Sequence, residues 1–254
     1  MALAETFRPK RRLVVSTPKR WTHNTLLWAL NVLVVTGVYR ATGVVVATLV
    51  SSSPYGLLNR DAIPYAVRFA IAFVLLDLLH YAQHRLYHGV GFLWRMHQVH
   101  HTDVEFDLTT GLRFHPAEAL LTQGVRLGVI ALLAPPPLAV LALEVASQVQ
   151  DLFEHGNVAI PVWLDRILRF VLVTPDMHRI HHSAEVGEQN RNLGTIFPWW
   201  DQLFGTYTQD PAGNQETMSL GLSGIPASRS VSLWQTLTHP FRRAGERDRI
   251  GDSL

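Results

Sequence analysis

Eight of the thirteen histidines fall in three clusters: His84 with His88, His97 with His100 and His101, and His178 with His181 and His182. The outer members of each cluster are four residues apart, and His100 and His181 stand three along from their cluster starts. A helix would therefore turn each set to one face. Neutral imidazole ligates iron, zinc or copper, and one divalent ion commonly takes three or four nitrogens, so eight converging rings imply two ions. A catalytic zinc uses three protein ligands and a structural zinc four; neither needs this number, whereas two irons working on dioxygen do. The chain has no cysteine, so any metal is held by nitrogen or oxygen. Spacing alone does not name the metal.

The elements that must bring these clusters together lie in an apolar chain. Of 254 residues, 48% are hydrophobic and 17% charged, and the mean hydropathy is positive at +0.12, which places much of the chain in lipid. Leu26 to Val50 and Ile63 to Leu79 each read as a membrane crossing, the first weakened by Arg40. Ala117 to Val149 is apolar but interrupted by Pro135, Pro136 and Pro137, which no regular helix continues through, so it reads as a hairpin of two crossings. Ile160 to Val173 mixes Asp165, Arg166 and Arg169 with Trp163 and Phe170 and reads as a helix lying at the interface. The expected fold is an all-α integral membrane bundle of about four transmembrane helices, with a cytoplasmic helical cap holding a histidine-ligated dimetal site. Residues 1–24 form a basic cytoplasmic segment, 25–209 the membrane-embedded domain and 210–254 a polar tail, in which Trp234 to Phe241 could dock on the body or the bilayer.

The sequence pI of 9.1 rests on few excess charges, many in the tails, where they suit anionic lipid headgroups; no nucleic-acid motif is present. The apolar run after the basic N-terminus is too long for a signal-peptide core and reads as a mature membrane segment. With that N-terminus cytoplasmic, four crossings bring all three clusters, and both termini, to the cytoplasmic face. Reading Leu26 to Leu57 as a hairpin would reverse the compartment and still keep the clusters together.

The runs HRLYH (His84 to His88), HQVHH (His97 to His101) and HRIHH (His178 to His182) resemble the three histidine boxes of the fatty acid hydroxylase and sterol desaturase superfamily, membrane enzymes with a non-haem di-iron centre. DLLHYAQHRLYH from Asp77, LWRMHQVHHT from Leu93, RFHPAE from Arg113, EHGNV from Glu154, TPDMHRIHHS from Thr174 and NLGTIFPWWDQLFGTY from Asn192 are similar to that family's motifs in order, over about residues 60–210. The resemblance implies an enzyme that uses two iron ions, O2 and two external electrons to hydroxylate, or sometimes desaturate, an unactivated C–H bond of a lipid such as a sterol or fatty-acyl chain. The chain carries no flavin, haem or nucleotide fingerprint, so a ferredoxin, cytochrome or reductase would supply the electrons. The alternative is a non-enzymatic membrane metal-binding or transport protein. A carrier would place its ligands near the midplane, whereas these clusters lie beyond the apolar runs.

His155, on the same expected side and matching a family position, is a candidate ninth ligand. His80 lies one turn before His84, where the family often has an aromatic, and reads as packing or supporting the ligands. Arg113, His115 and Glu118 read as organising the site by hydrogen bonds, with His115 at a helix start before Pro116. Asp77 pairs with Arg85, orients a ligand histidine, or lies at the water interface. Arg85 and Arg179 are set to pair with Asp77, Glu118 or Asp176. His23 and His239 read as surface residues, and Trp199, Trp200 and Tyr207 as interfacial aromatics.

Overall fold

The computed structural model describes residues 1–59, 62–226 and 231–242. Among these the chain is helical, with isolated bridges at Pro9–Val158 and Ser183–Leu220 in place of a sheet. The apolar bundle is made by α2 (Thr17–Tyr39), the short α3 (Gly43–Val50), α4 (Tyr65–Gly89), α6 (Pro116–Leu133) and α7 (Pro137–Glu154). The other helices are α1 (Ala2–Phe7), α5 (Gly91–His101), α8 (Val162–Leu168), α9 (Pro175–His181), α10 (Val186–Gln189), α11 (Trp199–Phe204) and α12 (Leu233–Thr238), with 3-10 turns at Leu108–Leu112 and His239–Phe241.

Among the described residues, three stretches are long and apolar enough to cross a membrane: Thr17–Val50, Tyr65–Gly89 and Pro116–Leu133. The expected fourth, α7, is a full helix of 18 residues, but its three carboxylates, Glu144, Asp151 and Glu154, keep it out of that set. The first stretch breaks at Arg40, which takes a left-handed conformation, φ 50°, and caps α2. It does not turn back there. Tyr39 donates to the Leu120 carbonyl at 2.9 Å, Gly43 lies against Ile130 and Val140, and Leu57 and Leu58 donate to the carbonyls of Leu132 and Leu133. α2 and α3 thus run beside α6 away from the histidines, and α4 returns to them.

The triple proline acts as read from the sequence. Ala134 ends α6 at φ 46° and Pro137 opens α7, because proline supplies no N–H to continue a helix yet fits its first turn. Gly56 packs here so closely that an added Cβ would stand 2.2 Å from that of Ala134. Ala47, Leu76, Ile130, Val140 and Leu143 form the core at this end. α7 then leads back to His155.

Over the other end lies a polar cap. Ile167, Phe170, Trp199 and Leu203 are exposed along its rim, as an interface would want, although α8 is shorter than the helix expected from Ile160 to Val173. Of the N-terminal basic residues, Arg8, Arg12 and Lys19 stay exposed, whereas Lys10, Arg11 and Arg20 turn inward. Arg20 is buried in ion pairs with Asp103, at 2.8 Å, and Asp107. Lys10 pairs with Asp176 at 3.1 Å, and Arg11 donates to the carbonyls of Gln215 and Met218. The C-terminal segment also packs on the cap: Met218 and Leu220 form a small core with Phe106, and Thr236 and His239 are buried. Its remaining parts, 227–230 and 243–254, lie outside the described residues, as does Asp61.

Candidate metal centre

Four elements, α4, α5, α9 and the end of α7, bring their histidines to one point of the cap. His84, His88, His97, His101 and His181 form one group, and His100, His155, His178 and His182 a second; within each group one nitrogen per ring lies within 4.8 Å of every other. The eight clustered histidines are therefore brought together, and His155 joins them. α4 ends on the first cluster and α5 starts after a single intervening residue, Val90. α9 follows a Thr174 cap whose hydroxyl accepts from Met177 N–H. His101 and His182 stack across the two groups with ring centroids 4.5 Å apart.

Five rings are held through Nδ1. His84 bonds the Leu193 carbonyl at 2.9 Å, His100 that of Arg113 at 3.2 Å, His155 that of Asp151 at 2.7 Å and His181 that of Arg191 at 3.0 Å. His97 bonds Glu118 Oε1 at 2.7 Å. A carbonyl only accepts, so Nδ1 carries the proton and Nε2 keeps a bare lone pair. Those lone pairs face one another in His84 and His97, whose Nε2 atoms are 3.1 Å apart, and in His100 and His155, at 3.2 Å, while His178 Nε2, on a ring whose Nδ1 has no partner, lies 3.0 Å from that of His155. Between neutral rings such pairs repel, but two nitrogens about 2.1 Å from one ion at right angles would stand about 3.0 Å apart. His88 Nε2, His181 Nε2 and both ring nitrogens of His101 and His182 are buried with no hydrogen-bond partner. This donor set fits two nitrogen-bound metal ions.

Burial, and then the neighbouring imidazoles, hold His100, His101, His178 and His182 well below the ordinary histidine range. Burial likewise brings His155 to about 4 and His181 to about 3. The rings stay neutral at physiological pH, as ligation requires.

Arg113 is buried and spans the cap, donating to Val99 O, Asn24 Oδ1 and Thr102 Oγ1 while its own carbonyl holds His100. His115 caps α6 by accepting from Ala117 N–H and meets the Leu237 carbonyl with its other nitrogen. His80 stands outside both groups and lines the cavity beside them. Arg179 pairs with Asp176 at 2.5 Å, while Arg85 lies near Tyr81 and Phe204.

Three sequence readings need correction. Asp77 neither pairs with Arg85 nor touches a histidine, and it is not at a water interface. It is fully buried and accepts from Ile196 N, Phe197 N and Trp200 Nε1 at 3.2, 3.4 and 2.8 Å. That anchors the loop whose Leu193 carbonyl holds His84. Trp200 is consequently a partner of a buried carboxylate rather than only an interfacial aromatic. His23 and His239 are buried, not surface residues, because both terminal segments fold over the cap: His23 bonds Thr236 and Arg113, and His239 meets Gln98. Asp201, passed over in the sequence, accepts from Leu193 N at 2.7 Å and Gly194 N at 2.8 Å and so fixes the same loop. Its signal was a carboxylate inside the aromatic run PWWDQLF.

Comparison with known proteins agrees with this arrangement. The fatty acid hydroxylase family model matches residues 69–206, and the chain belongs to that family of oxidoreductases; sterol desaturases are a related family only. The chain is 29% identical over 191 residues to ornithine lipid hydroxylase OlsE of Rhizobium tropici, covering 75% of this chain and 55% of that protein. It is 29% identical over 138 residues to alkylglycerol monooxygenase of Homo sapiens, covering 54% and 29%, and 29% over 147 residues to that of Danio rerio, covering 55% and 30%. The chain thus spans about half the length of the first and under a third of the others. No solved structure matches it.

Proposed function

We propose that this protein is a membrane oxygenase whose nine histidines hold two iron ions and which oxidises a C–H bond of a lipid with O2. The observation that carries the reading is a cavity of about 480 Å³ among α2, α4, α6 and α7 whose floor includes His84, His97, His100, His155 and His178. The cavity lies on the side of the apolar helices, so a lipid reaches the histidines without leaving the bilayer. The relatives' names, a lipid hydroxylase and an alkylglycerol monooxygenase, support a lipid substrate.

When bound, the two irons supply the oxidant that an alkyl C–H bond requires and that no side chain provides. The chain's own residues do the rest. Glu118 and the carbonyls of Leu193, Arg113, Asp151 and Arg191 fix ring tautomer and direction. Asp77 and Asp201 hold the loop that carries Leu193. Trp28, Val32, Val35, Leu112 and Phe114 give the cavity an apolar wall against which a chain packs. Hydroxylation turns C–H into C–OH and sends the second oxygen atom to water, consuming two electrons and two protons. An external ferredoxin, cytochrome or reductase delivers the electrons to the cytoplasmic face, where the basic N-terminal segment argues that the histidines lie.

The test is incubation of iron-loaded protein, a reducing partner system and extracted membrane lipid under ¹⁸O2, read by mass spectrometry. One labelled oxygen in a lipid product is expected. Product carrying only water-derived oxygen, or no oxygenated or desaturated lipid at all, would overturn the reading.

A further inference from the structure

The cavity wall is apolar, and of its four buried non-histidine polar atoms that lack a partner three are acceptors, the fourth being Arg126 Nε. Asn31 Nδ2 donates to the Phe114 carbonyl at 2.8 Å and Gln83 Nε2 to the Thr122 carbonyl at 3.3 Å. Those carbonyls fix which end of each amide is nitrogen, so the free end is oxygen. Asn31 Oδ1, Gln83 Oε1 and Glu118 Oε2 are all buried without a partner, in side chains 8%, 7% and 4% exposed. Three oriented acceptors in one cavity call for a ligand that brings donors.

The charges point the same way. Glu118, Glu144, Asp151 and Glu154 line the cavity, and the only arginine or lysine among its lining is Arg126, which is held by Glu144 at 2.6 Å. Ionised above neutral pH, the carboxyls repel an anion, and the cation among them is already paired. The acceptors also begin beside the histidines: Glu118 touches His97, Gln83 adjoins His84, and Arg126 lies two turns beyond Glu118, about 12 Å along α6. Between α2 and α7, Trp28, Val32 and Gln148 remain exposed at the cavity's edge and mark its opening toward the bilayer.

We propose that this cavity selects lipids whose polar part carries hydrogen-bond donors, such as hydroxyl or amine groups, and no net negative charge, with Asn31 and Gln83 as specificity-determining residues. The oxidised carbon then lies within a few bonds of that polar part, not in mid-chain. The inference rests on the oxygenase reading for its chemistry, but it is tested by binding alone.

The full-length protein in detergent micelles is titrated above neutral pH with 1-palmitoylglycerol, methyl palmitate and palmitate, which share one acyl chain, and bound lipid is counted by native mass spectrometry. Palmitoylglycerol is expected to bind about tenfold more tightly than either other probe. Asn31→Leu and Gln83→Leu should each remove most of that preference while methyl palmitate still binds, which shows the cavity intact. Glu144→Gln should raise palmitate affinity about tenfold by freeing Arg126, a gain that misfolding cannot produce. Equal binding of the three probes to the unaltered protein, or a preference that survives both leucine variants, would overturn the proposal. A preference found in protein that oxygenates no lipid would support the cavity's selectivity and count against the oxygenase reading alone.

Discussion

Asp77→Asn separates a carboxylate that positions the site from one that merely sits in an apolar helix. The aspartate accepts three bonds, Oδ1 from Ile196 N and Oδ2 from Phe197 N and Trp200 Nε1. Asparagine keeps one side at most: with its oxygen toward Trp200, its amide N–H₂ meets the Ile196 N–H, donor against donor. Losing one bond to a charged group costs about 1.5–3 kcal/mol, and the stranded donor about 1–3 more. Relief from burying a charge offsets part of this, leaving a net cost of about 3 kcal/mol. For a chain of this size that is about 6 to 12 °C in Tm. Because the same loop carries the Leu193 carbonyl that holds His84, metal affinity should also fall about tenfold. The assays are thermal unfolding in detergent and chelator competition on the same sample. A Tm within about 2 °C of the unaltered protein would mean that Asp77 is a neutral acid that asparagine replaces, and would refute the argument.

The other predictions follow the same contacts. Glu118→Ala should weaken metal binding by about 10–100-fold while leaving all nine histidines in place, read by chelator competition; unchanged affinity would remove Glu118 from the support of His97. Metal-free protein should lose stability as pH falls below 6.5 toward about 4 for His155 and about 3 for His181, because the unfolded chain takes up protons that the buried rings refuse. His155 alone contributes of order 3 kcal/mol to that loss, and bound metal should move it to lower pH in an unfolding titration. Tyr55→Cys and Glu185→Cys, both at exposed positions, should label from opposite sides of the membrane, with Tyr55→Cys alone reached by an impermeant reagent in intact cells. Labelling of both from one side would break the four-traverse arrangement. Ser183 beside the third cluster is too buried for this use, at 1% exposure.

The site was legible where spacing alone fixes geometry. Histidines four apart on α4 and α5 must share a face, and the triple proline had to break one apolar run into α6 and α7. Partners far apart in sequence were not legible. Asp77 finds amides about 120 residues away, and nothing near it in sequence shows that residues 196–200 return to α4. His23 and His239 lie in polar flanks, and polarity reads as surface until both termini are seen to close over the cap. Arg126 and Glu144 went unread because each stands among apolar neighbours on its helix, and only the packing of α6 on α7 pairs them. The break at Arg40 was visible as a charge but not as a bend, since its left-handed conformation depends on how α3 seats against α6 and α7.

The central claim, that nine histidines form two adjoining nitrogen sites, is tested most directly by metal analysis of protein purified gently with iron supplied, alongside His155→Ala. Two ions per chain are expected in the unaltered protein, five histidines around one and four around the other. The variant, with three histidines left in its second group, should fall toward one. One ion per chain in the unaltered protein, or two in both, would contradict the account.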